Sequence, residues 1–179
     1  MADLLQALDD ILQLDFKVDT ERGSYVLKEP ENPDDYPITL LKKKSKALLY
    51  KFDRKGINIF PLFKKEIPSL TQICDYIIFY PYKKKMFVFL CELKTTNIKG
   101  SSKQLQASEI VANYIVKMAI RYLNFKVFDV EYRALVFSTS NTIRFSTHLK
   151  KEVYLEYPNG LKHKHLRAGE VCQLDCHCY

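Results

Sequence analysis

The residue pattern predicts an α/β domain, a mixed β-sheet flanked by helices, on three observations. An apolar stripe of helical period opens the chain, two β-rich runs joined by a short basic connection occupy its centre, and a second amphipathic stripe follows before further strand-like runs. Helix, strands, helix and strands in that order point to helices packed on a sheet of mixed direction. With 179 residues, 47% hydrophobic and 13% aromatic, the chain supplies one substantial core and is short for two, so a single domain over 1–179 is expected.

The first helix is predicted over residues 2–14, where Leu4, Leu5, Leu8, Ile11 and Leu12 recur at spacings of three and four. Residues 29–37 combine three prolines with four acids, which excludes a helix or central strand and predicts an exposed loop. Strands are expected at about 46–52 and 57–63, with Asp53, Arg54, Lys55 and Gly56 turning between them. Residues 71–80 and 86–95, rich in Ile, Phe, Val and Tyr, predict a β-hairpin joined through Pro81 to Lys85. Ser101 or Ser102 can cap a helix running to about Tyr122, whose stripe of Leu105, Ser108, Val111, Ile115, Met118 and Tyr122 is expected to face inward. A strand at about 130–138 follows, and the tail from Glu152 predicts two or three more, turning at Pro158, Asn159 and Gly160.

Charge is unevenly spread. Residues 1–41 hold ten acids and three bases, and residues 42–179 hold 25 bases and 11 acids, so the body of the chain is strongly basic. Such a surplus favours polyanions through counterion release from phosphates, although a solvated surface gives the same composition. Apolar runs such as Met86 to Leu90 are far shorter than the roughly 20 residues a membrane-spanning helix requires. Five scattered cysteines, an odd number, lack the density of a disulfide framework, and a soluble cytoplasmic protein with reduced thiols is expected.

Alternation along the second hairpin strand puts Met86, Val88, Leu90, Glu92 and Lys94 on one face and Phe87, Phe89, Cys91 and Leu93 on the other. Both faces are mainly apolar, which describes a strand covered on both sides, yet one face ends in two charges. If Pro81 pairs with Met86 across a four-residue loop, Asp75 falls opposite Glu92. Directly opposed carboxylates, with Cβ atoms roughly 5 Å apart, destabilise one another unless a cation lies between them. Lys94 lies diagonally across from Asp75, near enough to join the pair. A divalent ion held by Asp75, Glu92 and a backbone carbonyl accounts for the grouping, and oxygen ligands favour Mg²⁺ or Mn²⁺.

This string, Asp75, then sixteen residues, then Glu92-Leu93-Lys94 at the end of an apolar strand and before a helix, resembles the PD-(D/E)XK nuclease superfamily, of restriction-endonuclease-like fold, over roughly residues 57–138. Cys74 stands where the family pattern has Pro. The resemblance implies a metal-dependent nuclease acting on nucleic acid, with DNA favoured over RNA. It further implies that Asp75, Glu92 and the carbonyl of Leu93 hold Mg²⁺ or Mn²⁺, that Lys94 positions or activates water, and that Gln104 joins the site from the next helix. An additional acid on the first helix would come from Asp3, Asp9, Asp10 or Asp15, with Glu21 beyond it. Pairing of two chains to cut two strands is left open.

Plainer readings stand beside these. Glu92 and Lys94 can be a salt-bridged rim in an unrelated fold, or the domain can bind nucleic acid or a protein without cutting. Ser101 and Gln104 match a helix capping box. His163, His165, Cys172, Cys176, His177 and Cys178 lack paired zinc spacing, so buried cysteines and surface histidines are expected. Cys74 and Cys91 are expected to pack on the face opposite the acids. The lysine runs at 42–44, 64–65, 83–85 and 150–151 read as solvated turns, and Lys99, Lys103, Arg133 and Arg144 as the bases best placed to meet phosphates.

Overall fold

A computed structural model describes residues 1–20, 24–28, 38–41, 45–54, 56, 57, 59–64, 66, 67, 70–94, 100–124, 126–139 and 154–179. Helix α1 (Ala2–Ile11) is followed by β1 (Ser24–Leu27), β2 (Ile38–Leu41), β3 (Leu48–Tyr50), β4 (Tyr76–Tyr82) and β5 (Lys85–Lys94). Helix α2 (Ser101–Tyr122) leads to β6 (Asp129–Ser138), β7 (Leu155–Glu156), β8 (Lys162–Arg167) and β9 (Cys172–Gln173). Six strands form a mixed sheet in the order β3-β4-β5-β6-β8-β7, and β1, β2 and β9 form a second sheet of three. Strands β5, β6 and β8 run parallel, while β3, β4 and β7 join the sheet antiparallel.

Both faces of the central strands are buried, as their unbroken apolar runs require. On one face Met86, Val88, Leu90, Ile77, Phe79, Ala134 and Val136 pack with Leu4, Leu5 and Leu8 of α1 and Leu105, Ala112, Val116 and Ala119 of α2. The opposite face, with Ile78, Tyr80, Phe87, Phe89, Cys91, Leu135 and Phe137, packs against Tyr25, Leu27, Cys172, Leu174 and Cys178. Both helices therefore lie on the same side of the sheet. Among the described residues no α-helix lies on the other side, which the smaller sheet and the C-terminal residues cover.

The hairpin register agrees with expectation: Pro81 pairs with Met86 and Tyr76 with Cys91. Its loop is shorter, because Tyr82 and Lys85 also pair and leave Lys83 and Lys84 to turn, with Lys83 at φ 54°. Three local expectations are corrected. Residues 57 and 59–63 form no strand: they turn, Pro61 offers no ladder N–H, and Leu62 is 91% exposed. In α2 the inward stripe continues through Ala112, Val116 and Ala119, whose small side chains let the helix approach the sheet, whereas Met118 and Tyr122 are exposed. The cap is Gly100 at φ 88°, with Ser101 already inside the first turn. The proline-rich stretch at 29–37 lies outside the described residues.

Candidate active site

The hairpin places Asp75 one residue before β4 and Glu92 near the end of β5, in the continuation of the register that pairs Tyr76 with Cys91. Parity puts both on the helix-covered face with Ile77, Phe79, Val88 and Leu90. The Leu93 N–H donates to Asp75 Oδ2 at 2.7 Å, fixing the aspartate against the neighbouring strand. Glu92 is 1% exposed. Its Oε1 lies 2.5 Å from Lys94 Nζ, and its Oε2 is buried with no hydrogen-bond partner among the described residues. Lys94 Nζ also donates to Gln104 Oε1 at 3.1 Å, so the four candidate side chains Asp75, Glu92, Lys94 and Gln104 converge at one end of the sheet.

Helix α2 positions more of this site than Gln104 alone. Buried Ser108 accepts from the Cys74 N–H at 2.7 Å and donates to the Gln104 carbonyl at 2.6 Å, tying the segment that carries Asp75 to the turn that carries Gln104. Gln104 does not serve a capping box, since no side chain caps α2 and its amide oxygen is turned to Lys94. Tyr157 hydrogen-bonds Ser101 and lies within electrostatic reach of Glu92.

Electrostatics set the carboxylates apart from ordinary surface acids. Burial, then the charge of Asp75, raises Glu92 from 4.5 to about 7 against the opposing pull of Lys94 and of the Asp75 backbone N–H. Burial also raises Asp75, opposed by the Leu93 N–H, Lys51 and Lys94. Two buried acids, one raised by the charge of the other, and a carboxylate oxygen without a hydrogen-bond partner among the described residues fit a cation. Asp75 and Glu92 are the side-chain donors at this point, and among the described residues no three His, Cys, Asp or Glu side chains group to hold a metal. Any remaining ligands would then be waters or substrate oxygens, as Mg²⁺ commonly accepts.

Comparison of the chain with family models, curated proteins and solved structures found no match.

Other candidates fall elsewhere. Asp9 is held by Lys17 at 2.5 Å and by the Tyr50 hydroxyl at 3.2 Å, Asp3 pairs with Lys126, and Asp10 accepts from Gln6. Asp15 lies in a short 3-10 turn, and Glu21 is outside the described residues. Arg133 does not reach a substrate surface: 3% exposed, it lies between the rings of Phe87 and Tyr154 and donates to the carbonyls of His177 and Tyr179. It locks the C-terminus onto the sheet. Lys103 is exposed on the first turn of α2, while Lys99 and Arg144 lie outside the described residues. Cys91 faces away from the acids as expected, but Cys74 packs in the helix-side core, because it precedes β4 and escapes strand alternation. Burial raises both thiols, which suits packing rather than nucleophilic chemistry. His163 and His177 are buried rather than on the surface, His163 stacked on Tyr157 with centroids 3.9 Å apart. Among the described residues no helix is long and apolar enough to cross a membrane.

Ser108, Ser101, Tyr157 and Lys51 were not legible as site residues. Ser108 left one signal, a hydroxyl in an otherwise apolar helical stripe.

Proposed function

We propose that this chain is a metal-dependent nuclease of restriction-endonuclease-like fold that hydrolyses phosphodiester bonds of nucleic acid, DNA before RNA. The observation that carries the reading is the convergence of Asp75 and Glu92, both raised by burial, with a buried Glu92 oxygen that has no hydrogen-bond partner among the described residues beside Lys94. The order of elements around it, Asp before one strand, Glu-x-Lys ending the next, then a helix, supports the same reading, as does the basic body of the chain.

Asp75, Glu92 and the Leu93 carbonyl would hold Mg²⁺ or Mn²⁺. Bound there, the ion supplies charge neutralisation for the phosphoryl oxygens and lowers the pKa of a bound water. The chain's own part is positional and protonic. Lys94 Nζ has acceptors in Glu92 and Gln104 and a further N–H to offer a water or a phosphate oxygen. Gln104, itself anchored through the turn that Ser108 ties down, keeps that ammonium directed at the acids. The Leu93 N–H orients Asp75.

Incubating plasmid and single-stranded DNA with Mn²⁺ or Mg²⁺ tests the reading: cleavage is expected, lost in chelator and in Glu92→Gln. The close Lys94–Glu92 pair favours one alternative, a non-catalytic module of the same fold in which the pair is a structural rim. Salt-sensitive DNA binding without cleavage under any metal would select it.

A further inference from the structure

Resting on that reading, we propose that His165 and Arg167 of β8 form a second phosphate-binding point beside the acids, so that the site takes a polynucleotide backbone. The parallel strands β5, β6 and β8 all end at the same edge of the sheet, and in open α/β sheets ligands bind outside the carboxyl ends of the strands. Register aligns Glu92 with Val136 and His165, and Lys94 with Ser138 and Arg167. In-register neighbours share a face, and Val136 lies in the helix-side core while Phe137 and Leu166 lie in the other. By register His165 and Arg167 stand on the face of Glu92 and Lys94, two strands away, or roughly 10 Å at about 4.8 Å per strand, and Arg167, the last residue of β8, also borders the hollow lined by Glu170 and His177 at that end.

Nothing on the intervening strand opposes an anion: Val136 and Ser138 are buried and uncharged. Arg167 is exposed and makes no ion pair among the described residues. The Nδ1 atoms of His163 and His165 are buried without hydrogen-bond partners among the described residues, the two rings meeting edge to face at 5.6 Å. A guanidinium fork and an imidazole supply the donors that backbone phosphates accept. A strand carries one charged phosphate per nucleotide, so filling two points with phosphates takes more than one nucleotide. A mononucleotide cannot span both points; an oligonucleotide can.

Arg167→Gln, Arg167→Lys and His165→Gln in the full chain, with Lys83→Gln at the far hairpin tip as a control, test this. Binding of a labelled single-stranded oligonucleotide is measured in chelator across salt concentrations, and cleavage of the same strand with Mn²⁺. For Arg167→Gln the log–log salt slope should shrink by about 0.7, the value of one phosphate contact on a single strand. KM should rise roughly five- to tenfold with little change in kcat, the signature of lost uniform binding. His165→Gln should move KM in the same direction, and Arg167→Lys should keep the slope, as should Lys83→Gln. Unchanged slope and KM in Arg167→Gln and His165→Gln, with Glu92-dependent cleavage intact in the parent, would overturn the second point and leave the nuclease reading standing. A fall in kcat alone would also overturn it. A parent that neither binds nor cleaves removes the reading and the second point together.

Discussion

Replacing Glu92 by glutamine without metal should stabilise the protein above neutral pH, an unusual outcome for a change at a buried residue. Glu92 is held at about 7 in the folded chain against an ordinary 4.5. Between those values the folded chain keeps a proton that the unfolded chain has released, so metal-free stability falls as pH rises through the window. The full difference corresponds to about 3 kcal/mol, and the raised Asp75 acts in the same direction. Glutamine imitates the protonated acid, and Lys94 keeps its contact with Gln104. Chemical denaturation in chelator should therefore show the variant about 1–3 kcal/mol more stable at pH 8 and nearly equal to the parent at pH 5, a difference of about 2–4 °C per kcal/mol in melts of a chain this size. Adding Mn²⁺ at about 100 times its dissociation constant should return about 2.7 kcal/mol to the parent and much less to the variant. A variant less stable than the parent at pH 8 in chelator would refute the reasoning, because Glu92 and Lys94 would then be a net stabilising ion pair and the rim a better account.

Metal affinity should follow the same ionisation: measured by calorimetry, it should weaken up to about tenfold per pH unit below the Glu92 value near 7, and a flat profile from pH 5.5 to 8 would remove Glu92 as a ligand. Lys94→Met should lower kcat by roughly 100-fold or more while a Mn²⁺-induced thermal shift persists at pH 8.5, where both acids can ionise; loss of the thermal shift there would make Lys94 structural. Gly100→Ala should cost about 1–2 kcal/mol in chemical denaturation, since φ is 88° and no neighbour crowds the added carbon; an unchanged midpoint would show that the helix start readjusts freely.

Much of the fold was legible because its central elements obey one period each. Strand alternation assigned both faces of β5 correctly, and a single assumed pair, Pro81 with Met86, set the register of the whole hairpin. Where two forces compete, period alone misled. Met118 and Tyr122 are the larger apolar residues, but close helix-to-sheet packing selected Ala112 and Ala119 for the inside, with Val111 at the margin. At 57–63 the apolar composition suggested a strand, yet a strand needs an edge to pair with, and the outer edge of β3 is taken by residues 16–18, with Val18 N–H on Leu49 and Lys51 N–H on Phe16. The helices' common side was equally hidden, since the chain does not announce that a three-stranded sheet will cover the other face.

At the site the reading divides along the same physical line. Asp75, Glu92 and Lys94 were found because they lie in or beside two locally paired strands, where geometry follows from residue number. Gln104 came from the family resemblance, and its position beside Lys94 depends on how α2 seats on the sheet. His165 and Arg167 reach the same end only through the parallel order β5-β6-β8, which no local pattern encodes because each step crosses a long connection, and Tyr157 reaches Ser101 from the turn between β7 and β8. Arg133 misled for the converse reason: position along the chain suggested a phosphate contact, but its strand parity turns it to the opposite face, where Glu131 neutralises its charge and Phe87, Tyr154 and two carbonyls enclose it. A basic residue count thus overstates the surface available to a polyanion. The salt slope of DNA binding, which counts contacted phosphates rather than lysines and arginines, is the better measure of how many of the 28 bases face the substrate.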